Sequence, residues 1–192
     1  YPIQLSHANH IGVFWMTGQG KSIFNSGLLY SMYMNNSDWN FSFADVKWDC
    51  SFAQGVKRIR YASEVTDILS LTNQKVMLVK DIHAELKRVG ARNLEEYMKN
   101  TPKSEQKSFM KPEFFIIEEF SYLIDAIKEL EWIQQWMGIL ESANFIMNVR
   151  ALVQIGRSAG FSVLLSLQKL ISESLGNSTI IKDMIRPISF KT

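Results

Sequence analysis

The sequence predicts an α/β fold in which a mostly parallel central sheet carries helices on both faces. Short apolar runs alternate along the chain with longer segments whose apolar residues recur every three or four positions, the spacing of amphipathic helices. The short runs are continuously apolar, which is typical of parallel strands buried on both faces. The length of 192 residues favours one domain over residues 1–192, because a chain of this size buries enough surface for a single core.

The amino-terminal part contains the first strand, loop and helix of this alternation. Residues 11–16 form a short apolar run rich in strand-forming residues, which predicts a buried strand. The run stops at the glycine-containing stretch 17–20, which predicts a tight loop. Residues 21–35 then predict a helix that ends in a polar turn at 35–38, and residues 41–46 predict a second short strand.

The middle of the chain is predicted to be mainly helical. Residues 62–97 carry apolar side chains at helical spacing with charged residues between them. Gly90 is placed to end this helix, and Asn93 caps a short one with Glu96 three positions later. Residues 100–112 are polar and contain two prolines, so they predict a loop.

The carboxyl-terminal half repeats the alternation of strand and helix. Residues 114–117 are an apolar strand followed by two glutamates, and residues 120–158 predict helix, broken near Asn144 or Asn148. Two further strands are predicted at residues 161–167 and 188–190, with a polar turn at 176–178 and a short helix between them. The sequence contains no internal repeat.

Charge and cysteine content exclude several kinds of protein and site. The 21 Lys and Arg against 19 Asp and Glu give a net charge of +2, too balanced for charge alone to indicate nucleic-acid binding. The single cysteine, Cys50, excludes an internal disulfide and favours a reducing, intracellular setting; we expect it to pack in the core. His7, His10 and His83 lack the spacing of zinc ligands. The sequence contains no run of about 18 apolar residues, the length that would predict a membrane-spanning helix.

The strongest local signal is a glycine-rich loop between the first strand and the first helix. Gly20-Lys21-Ser22 ends the pattern G-x-x-x-x-G-K-[ST], whose backbone amides cradle the phosphates of ATP. Trp15 stands where the pattern has its first glycine. The candidate nucleotide-binding residues are Thr17, Gly18, Gln19, Gly20, Lys21, Ser22 and Ile23. The alternative interpretation is an ordinary strand-to-helix turn with an incidental Lys-Ser pair.

The two acidic residues after the strand at 114–117 are candidates for the other half of a nucleotide site. A carboxylate at the end of a neighbouring strand holds Mg²⁺ in such enzymes, and a second one orients the attacking water. Glu118 occupies the first position, where Asp is usual, and Glu119 the second. The alternative interpretation is a pair of charges that stabilises a helix amino terminus.

As an ordered set, these motifs resemble FtsK/SpoIIIE/HerA-type motor domains over nearly the whole chain. Conjugative coupling ATPases of the TcpA-like kind are the most similar group. The segments that carry the resemblance are Thr17-Gly18-Gln19-Gly20-Lys21-Ser22, Asp45-Val46-Lys47, Gly90-Ala91-Arg92-Asn93-Leu94-Glu95-Glu96-Tyr97, Ile116-Ile117-Glu118-Glu119-Phe120, Gly156-Arg157-Ser158-Ala159-Gly160 and Leu165-Ser166-Leu167-Gln168-Lys169.

The resemblance implies a RecA-like P-loop NTPase core and a role for each matching residue. Lys21 would contact the γ-phosphate, Glu119 the attacking water, and Gln168 would sense the γ-phosphate. Ser22 and Glu118 would hold Mg²⁺. Arg157 is the candidate for a positive charge supplied across a subunit interface, with Arg150 and a merely solvated Arg157 as the alternatives. The departures at Trp15 and Glu118 lower the hydrolysis rate that we expect.

The resemblance also implies partners and a location. The family are hexameric ATPases that pump double-stranded DNA, here in conjugative transfer, with relaxase or secretion-channel proteins as further partners. We expect this chain to be a soluble segment, beginning Tyr1-Pro2, of a longer protein tethered at the cytoplasmic face of the cell membrane. The alternatives are a type VII protein-secretion ATPase domain and a degenerate nucleotide-binding module that serves in docking.

Other prominent residues have plainer interpretations. The basic cluster at 57–60 predicts a solvated loop or, alternatively, a phosphate contact. The same alternatives hold for the three lysines of the loop 100–112. Trp132 and Trp136 lie four positions apart in a helical pattern, which favours core or subunit-interface packing over base stacking.

Overall fold

The computed structural model describes residues 10–14, 20–47, 50–133, 141–168, 175–176 and 178–189, with the side chains at 21, 51, 133 and 186–189 outside the description. In these ranges the strands are β1 (His10–Phe14), β2 (Asn40–Ala44), β3 (Ile59–Ala62), β4 (Glu113–Ile117), β5 (Phe161–Leu167) and β6 (Ile185–Ser189). The helices are α1 (Lys21–Asn35), α2 (Ser51–Gly55), α3 (Val65–Val89), α4 (Leu94–Asn100), α5 (Phe120–Ile133), α6 (Glu141–Ile155) and α7 (Thr179–Met184), with a 3₁₀ turn at Arg157–Ala159 before β5.

The six strands form one sheet in the order β3-β2-β4-β5-β1-β6. All five pairings are parallel, with Ile11 opposite Leu164 and Ile117 opposite Leu165 among the paired residues. Parallel pairing requires a crossover between neighbours, and helices supply most of these crossovers. The predicted α/β fold with a parallel central sheet is therefore confirmed.

Helices cover both faces of the sheet, because alternate side chains of each strand enter two separate cores. On one face Val13, Phe43 and Ile116 pack with residues of α1 and α2. On the other face Phe115 and Val163 pack with residues of α3, α5 and α6. Every residue of β4 and β5 is buried, which explains why both strands are mainly apolar, with Glu113, Ser162 and Ser166 as the polar exceptions.

Three sequence predictions of local structure were wrong. Residues 59–60, expected in a loop, and Ala62, expected to begin a helix, belong to the edge strand β3, which pairs with β2 alone among the described strands. α6 runs unbroken through Asn144 and Asn148, so the predicted break does not occur there. The last strand begins at Ile185 rather than at 188. None of the described helices combines the length and apolar character that crossing a membrane requires.

The turn before β5 yields a test of the packing. Gly160 has φ +69°, and a Cβ built there would lie 2.5 Å from Leu94 Cδ2. We expect Gly160→Ala to lower the free energy of unfolding by about 2–3 kcal/mol, from the left-handed backbone and the crowding together. Urea unfolding measures this loss. Gly27→Ala is the matched control, since Gly27 lies within α1 with open space around it; that substitution gains about 0.5–1 kcal/mol. Equal effects of both would contradict the expectation.

Candidate functional site

The carboxyl ends of the strands meet at one edge of the sheet, where open parallel sheets bind ligands. β1 ends there at Phe14 and β4 at Ile117, and β5 runs between them to Leu167. Two strand spacings, about 9.6 Å, therefore separate the ends of β1 and β4. The residues that follow β4 and β5 therefore lie close to the end of β1.

The turn into α1 depends on Gly20. This residue adopts φ 86° and ψ 18°, a left-handed conformation that is strained for any residue with a Cβ. Its carbonyl accepts the amide of Phe24 at 2.9 Å, so the helix begins directly after the turn. The amides of a first helical turn have no partner within their helix and favour an anion. This geometry fits the end of a phosphate-binding loop.

Two side chains of α1 contact the first glutamate after β4. Ser22 Oγ donates to Glu118 Oε1 at 3.4 Å, and Asn25 Nδ2 donates to Glu118 Oε2. Glu118 is 3% exposed and Asn25 is fully buried. Sequence reasoning missed Asn25, although a polar residue one turn after Ser22 lies on the same helix face. The amide oxygen of Asn25 has no hydrogen-bond partner among the described residues.

The oxygen atoms of Ser22 and Glu118 fit a magnesium ion. Mg²⁺ binds hard oxygen ligands in an octahedron at about 2.0–2.1 Å, so adjacent ligands lie about 2.9 Å apart. Ser22 Oγ and Glu118 Oε1 lie 3.4 Å apart. A small side-chain movement would bring them to the separation of adjacent Mg²⁺ ligands. The structure thus brings together the two predicted metal ligands, whose role stays a prediction.

Glu119 faces the opposite neighbour. Its carboxylate Oε1 lies 3.2 Å from Lys47 Nζ, three residues beyond the end of β2. Glu119 has φ 49° and is the single described residue other than glycine with a positive φ; such outliers concentrate at functional sites. Its carbonyl accepts the amide of Leu123 at 3.0 Å, so Glu119 also stands at the amino terminus of α5. The helix-terminal interpretation and the catalytic one are both compatible with this position.

The turn that presents Lys47 is organised by a buried carboxylate. Asp45 is fully buried, and among the described residues its carboxylate accepts hydrogen bonds from the amide of Lys47 at 3.0 Å, the amide of Cys50 at 3.2 Å and the hydroxyl of Tyr61 at 3.1 Å. Burial raises the pKa of the Tyr61 hydroxyl above its ordinary value, so this group stays a donor. Cys50 is buried, as expected for a packing residue.

The remaining predicted site residues fall in three groups. Gln168 directly follows β5, at the carboxyl edge between β1 and β4. Arg157 precedes β5 and therefore lies at the other edge of the sheet, away from the site of its own chain; its role across an interface stays a prediction. Trp15, Thr17, Gly18 and Gln19 lie outside the described residues, Lys21 is described in its backbone alone, and Ile23 is 79% exposed.

No protein-family model and no curated protein sequence matches the chain. The structure of the pCW3 conjugation coupling protein TcpA, a monomer form with ATPγS, matches 99% of the chain at 19% identity and a TM-score of 0.78. The EccC ATPases 2 and 3 of Thermomonospora curvata, in complex with a signal sequence peptide, match 98% at 18% identity and a TM-score of 0.76.

The chain has the fold of the FtsK/SpoIIIE-type ATPase domains. The EssC ATPases 2 and 3 of Geobacillus thermodenitrificans also share it, with a TM-score of 0.66 over 95% of the chain at 11% identity. The chain spans 51% of the TcpA structure and 32% of the EccC structure. At these identities the likeness concerns the fold.

In this FtsK/SpoIIIE-type fold the basic cluster lies at the amino end of β3, opposite the carboxyl edge. Arg58 precedes β3 and donates to the carbonyls of Tyr33 at 2.9 Å and Ser37 at 3.1 Å, with its guanidinium 4.0 Å from the centroid of the Tyr33 ring. Arg58 thus closes the carboxyl end of α1, a structural contact that the sequence prediction of a solvated loop missed. Trp132 is 72% exposed, so of the two predicted kinds of packing it does not pack in the core, and packing at a subunit interface stays a prediction; Trp136 lies outside the described residues.

The described histidines are also structural. His10 in β1 is buried, and its Nδ1 accepts the amide of Val163 at 3.1 Å. Burial lowers the pKa of His10 to about 4, so the ring is neutral at physiological pH. His83 Nε2 lies 2.8 Å from Ser158 Oγ and joins α3 to the 3₁₀ turn. Of the loop lysines, Lys107 pairs with Glu85 at 2.6 Å.

Proposed function

We propose that the chain is an ATPase domain that binds ATP and Mg²⁺ at the carboxyl edge of its sheet and hydrolyses the β–γ phosphoanhydride bond. One observation carries the proposal: α1, entered through the left-handed Gly20, places Ser22 and Asn25 on the buried carboxylate of Glu118. A simple strand-to-helix turn requires no such convergence with a residue 96 positions away. In this proposal the amides of the turn at Gly20 form the anion-binding site, and Glu118 with Ser22 supplies the oxygen ligands for the metal ion.

The proposed reaction is in-line attack by water. Lys21 and the amides of the Gly20 turn hold the phosphates, and Glu119 orients the water and takes its proton. A bond forms between the water oxygen and the γ-phosphorus while the bond to the bridging oxygen of ADP breaks. Ser22 and Glu118 would hold Mg²⁺, which neutralises charge on the phosphate oxygens when bound. Gln168, which follows the strand between the two halves, would contact the γ-phosphate.

The substrate that we propose for the motor is double-stranded DNA in conjugative transfer. The likeness to a conjugation coupling protein over 99% of this chain supports this choice. In this proposal a hexameric ring forms in a longer protein at the cytoplasmic face of the cell membrane, Arg157 acts on the neighbouring subunit's nucleotide, and relaxase or secretion-channel proteins deliver the DNA.

Two alternatives have specific support. A type VII protein-secretion ATPase domain is favoured by the likeness to EccC and EssC. A docking module with little hydrolysis is favoured by the departures at Trp15 and Glu118. Turnover measured with duplex DNA, with a secretion-signal peptide and with neither separates the three functions: DNA stimulation supports the proposal, peptide stimulation the secretion domain, and no turnover under any condition the docking module.

Substitution of Lys21 tests the nucleotide site itself. We expect Lys21→Ala to weaken ATP binding about 10- to 100-fold, since a hydrogen bond to a charged group contributes about 1.5–3 kcal/mol, and to abolish hydrolysis. Binding is measured by titration with a fluorescent ATP analogue. Lys182→Ala on α7, at an exposed position, is the control and leaves binding unchanged. Unaltered binding and hydrolysis in Lys21→Ala would show that the site is wrongly assigned.

A further inference from the structure

The two glutamates after β4 face opposite ways. Glu118 is bonded to α1, which follows β1, whereas Glu119 contacts Lys47, which follows β2. In the sheet β2 and β1 lie on different sides of β4. The contact with Lys47 therefore holds Glu119 Oε1 towards the β2 side of β4, the side opposite β1.

Lys47 is held in place from several directions. Its amide donates to the buried Asp45 carboxylate at 3.0 Å, which fixes the turn after β2. Its ammonium lies 3.2 Å from Glu119 Oε1 and 5.3 Å from the centroid of the Tyr122 ring. A cation over an aromatic face and beside a carboxylate is attracted by both. The Lys47 side chain is 34% exposed and that of Glu119 12%, so the ion pair is half-buried at the rim of the site.

We infer that Lys47 is a latch that holds Glu119 away from the attacking water and so keeps basal ATP hydrolysis slow. This inference rests on the proposed function. An ammonium bound to a carboxylate oxygen occupies one of its lone pairs and fixes the direction of the carboxylate, whereas a general base must point a free lone pair at the water. Breaking the ion pair lets the Glu119 side chain rotate towards the gap between β4 and β1. Lys47 is therefore a positioning residue that acts through Glu119.

The test compares the ATPase kinetics of Lys47→Met with those of the wild-type chain. We expect kcat without any other ligand to rise about three- to fivefold, the bias that a half-exposed ion pair exerts between two side-chain positions. The KM for ATP stays the same, because Lys47 follows β2, which lies on the other side of β4 from β1 and the phosphate-binding turn that follows it. Lys47→Arg keeps the positive charge, so its kcat stays at the slow wild-type value. A general effect of substitution at position 47 on folding would instead change kcat in both variants.

Two further variants make the outcome decisive. Lys128→Met on α5, at an exposed position, is the matched control with the same substitution and leaves kcat unchanged. Lys47→Met/Glu119→Gln is as inactive as Glu119→Gln, because the latch acts through Glu119 alone. An unchanged or lower kcat in Lys47→Met, while Glu119→Gln still abolishes turnover, overturns the latch and leaves the proposed function standing. Turnover that survives Glu119→Gln overturns the proposed function instead.

Discussion

Replacing Glu119 with Gln lowers kcat about 10²- to 10⁴-fold, the contribution that a positioned general base makes to a proton transfer. The amide keeps the shape of the side chain but cannot accept the proton of the attacking water. ATP affinity stays within about twofold, because binding relies on the turn at Gly20 and on Glu118 rather than on this carboxylate. Steady-state release of phosphate measures kcat, and equilibrium titration with ATP measures affinity.

The control for this prediction is Glu129→Gln, the same change at an exposed position of α5. It removes one negative charge from the same helix and leaves kcat unaltered. A comparable loss of kcat in both variants would show that the loss comes from the lower negative charge near α5 and not from removal of Glu119 as the general base. A Glu119→Gln chain that turns over ATP at the wild-type rate would leave Glu119 as a helix-terminal residue only.

The sequence predicted those elements whose signal is local. β4 and β5 are recognisable because burial on both faces makes most of their side chains apolar, and α1 follows from its periodicity and the glycine before it. β3 escaped notice because an edge strand needs only four residues, Ile59–Ala62, and pairs on one side. Arg58 next to it resembles a solvated charge until the fold places the end of α1 beside it.

The sequence predicted the site residues that belong to recognisable motifs. It did not predict the residues that join the site only through the tertiary fold. Ser22 and Glu118 are each marked by a strand end, and their contact follows once β1 and β4 share a sheet. Asn25 and the contact of Lys47 with Glu119 depend on which strands are neighbours. Strand order is set by the packing of the whole chain, so no local pattern shows that β2 flanks β4.

The buried ion pair at the start of β4 has the largest expected effect on stability. Lys75 Nζ of α3 contacts Glu113 Oε1 at 2.6 Å, and Ser42 Oγ donates to the same oxygen at 2.8 Å. The side chains of Lys75 and Glu113 are only 9% and 1% exposed. Glu113 Oε2 has no hydrogen-bond partner among the described residues, so the carboxylate relies on Lys75 for most of its compensation.

We expect Lys75→Met to lower the free energy of unfolding by about 3–5 kcal/mol, because an unpaired charge stays behind in the core. Urea unfolding followed by far-UV circular dichroism measures the change. Lys80→Met, on the exposed side of the same helix, is the control and changes the free energy by less than about 0.5 kcal/mol.

Replacing both Lys75 and Glu113 distinguishes the two possible causes of this lower free energy of unfolding. If the cost of Lys75→Met is the unpaired carboxylate, then Lys75→Met/Glu113→Leu recovers most of the lost stability, because apolar residues of similar volume replace buried ion pairs at little cost. If the cost came instead from lost packing around the lysine stem, the double variant would be at least as unstable as the single one. The sign of the difference between the two variants therefore distinguishes desolvated charge from packing at the junction of α3 with the sheet.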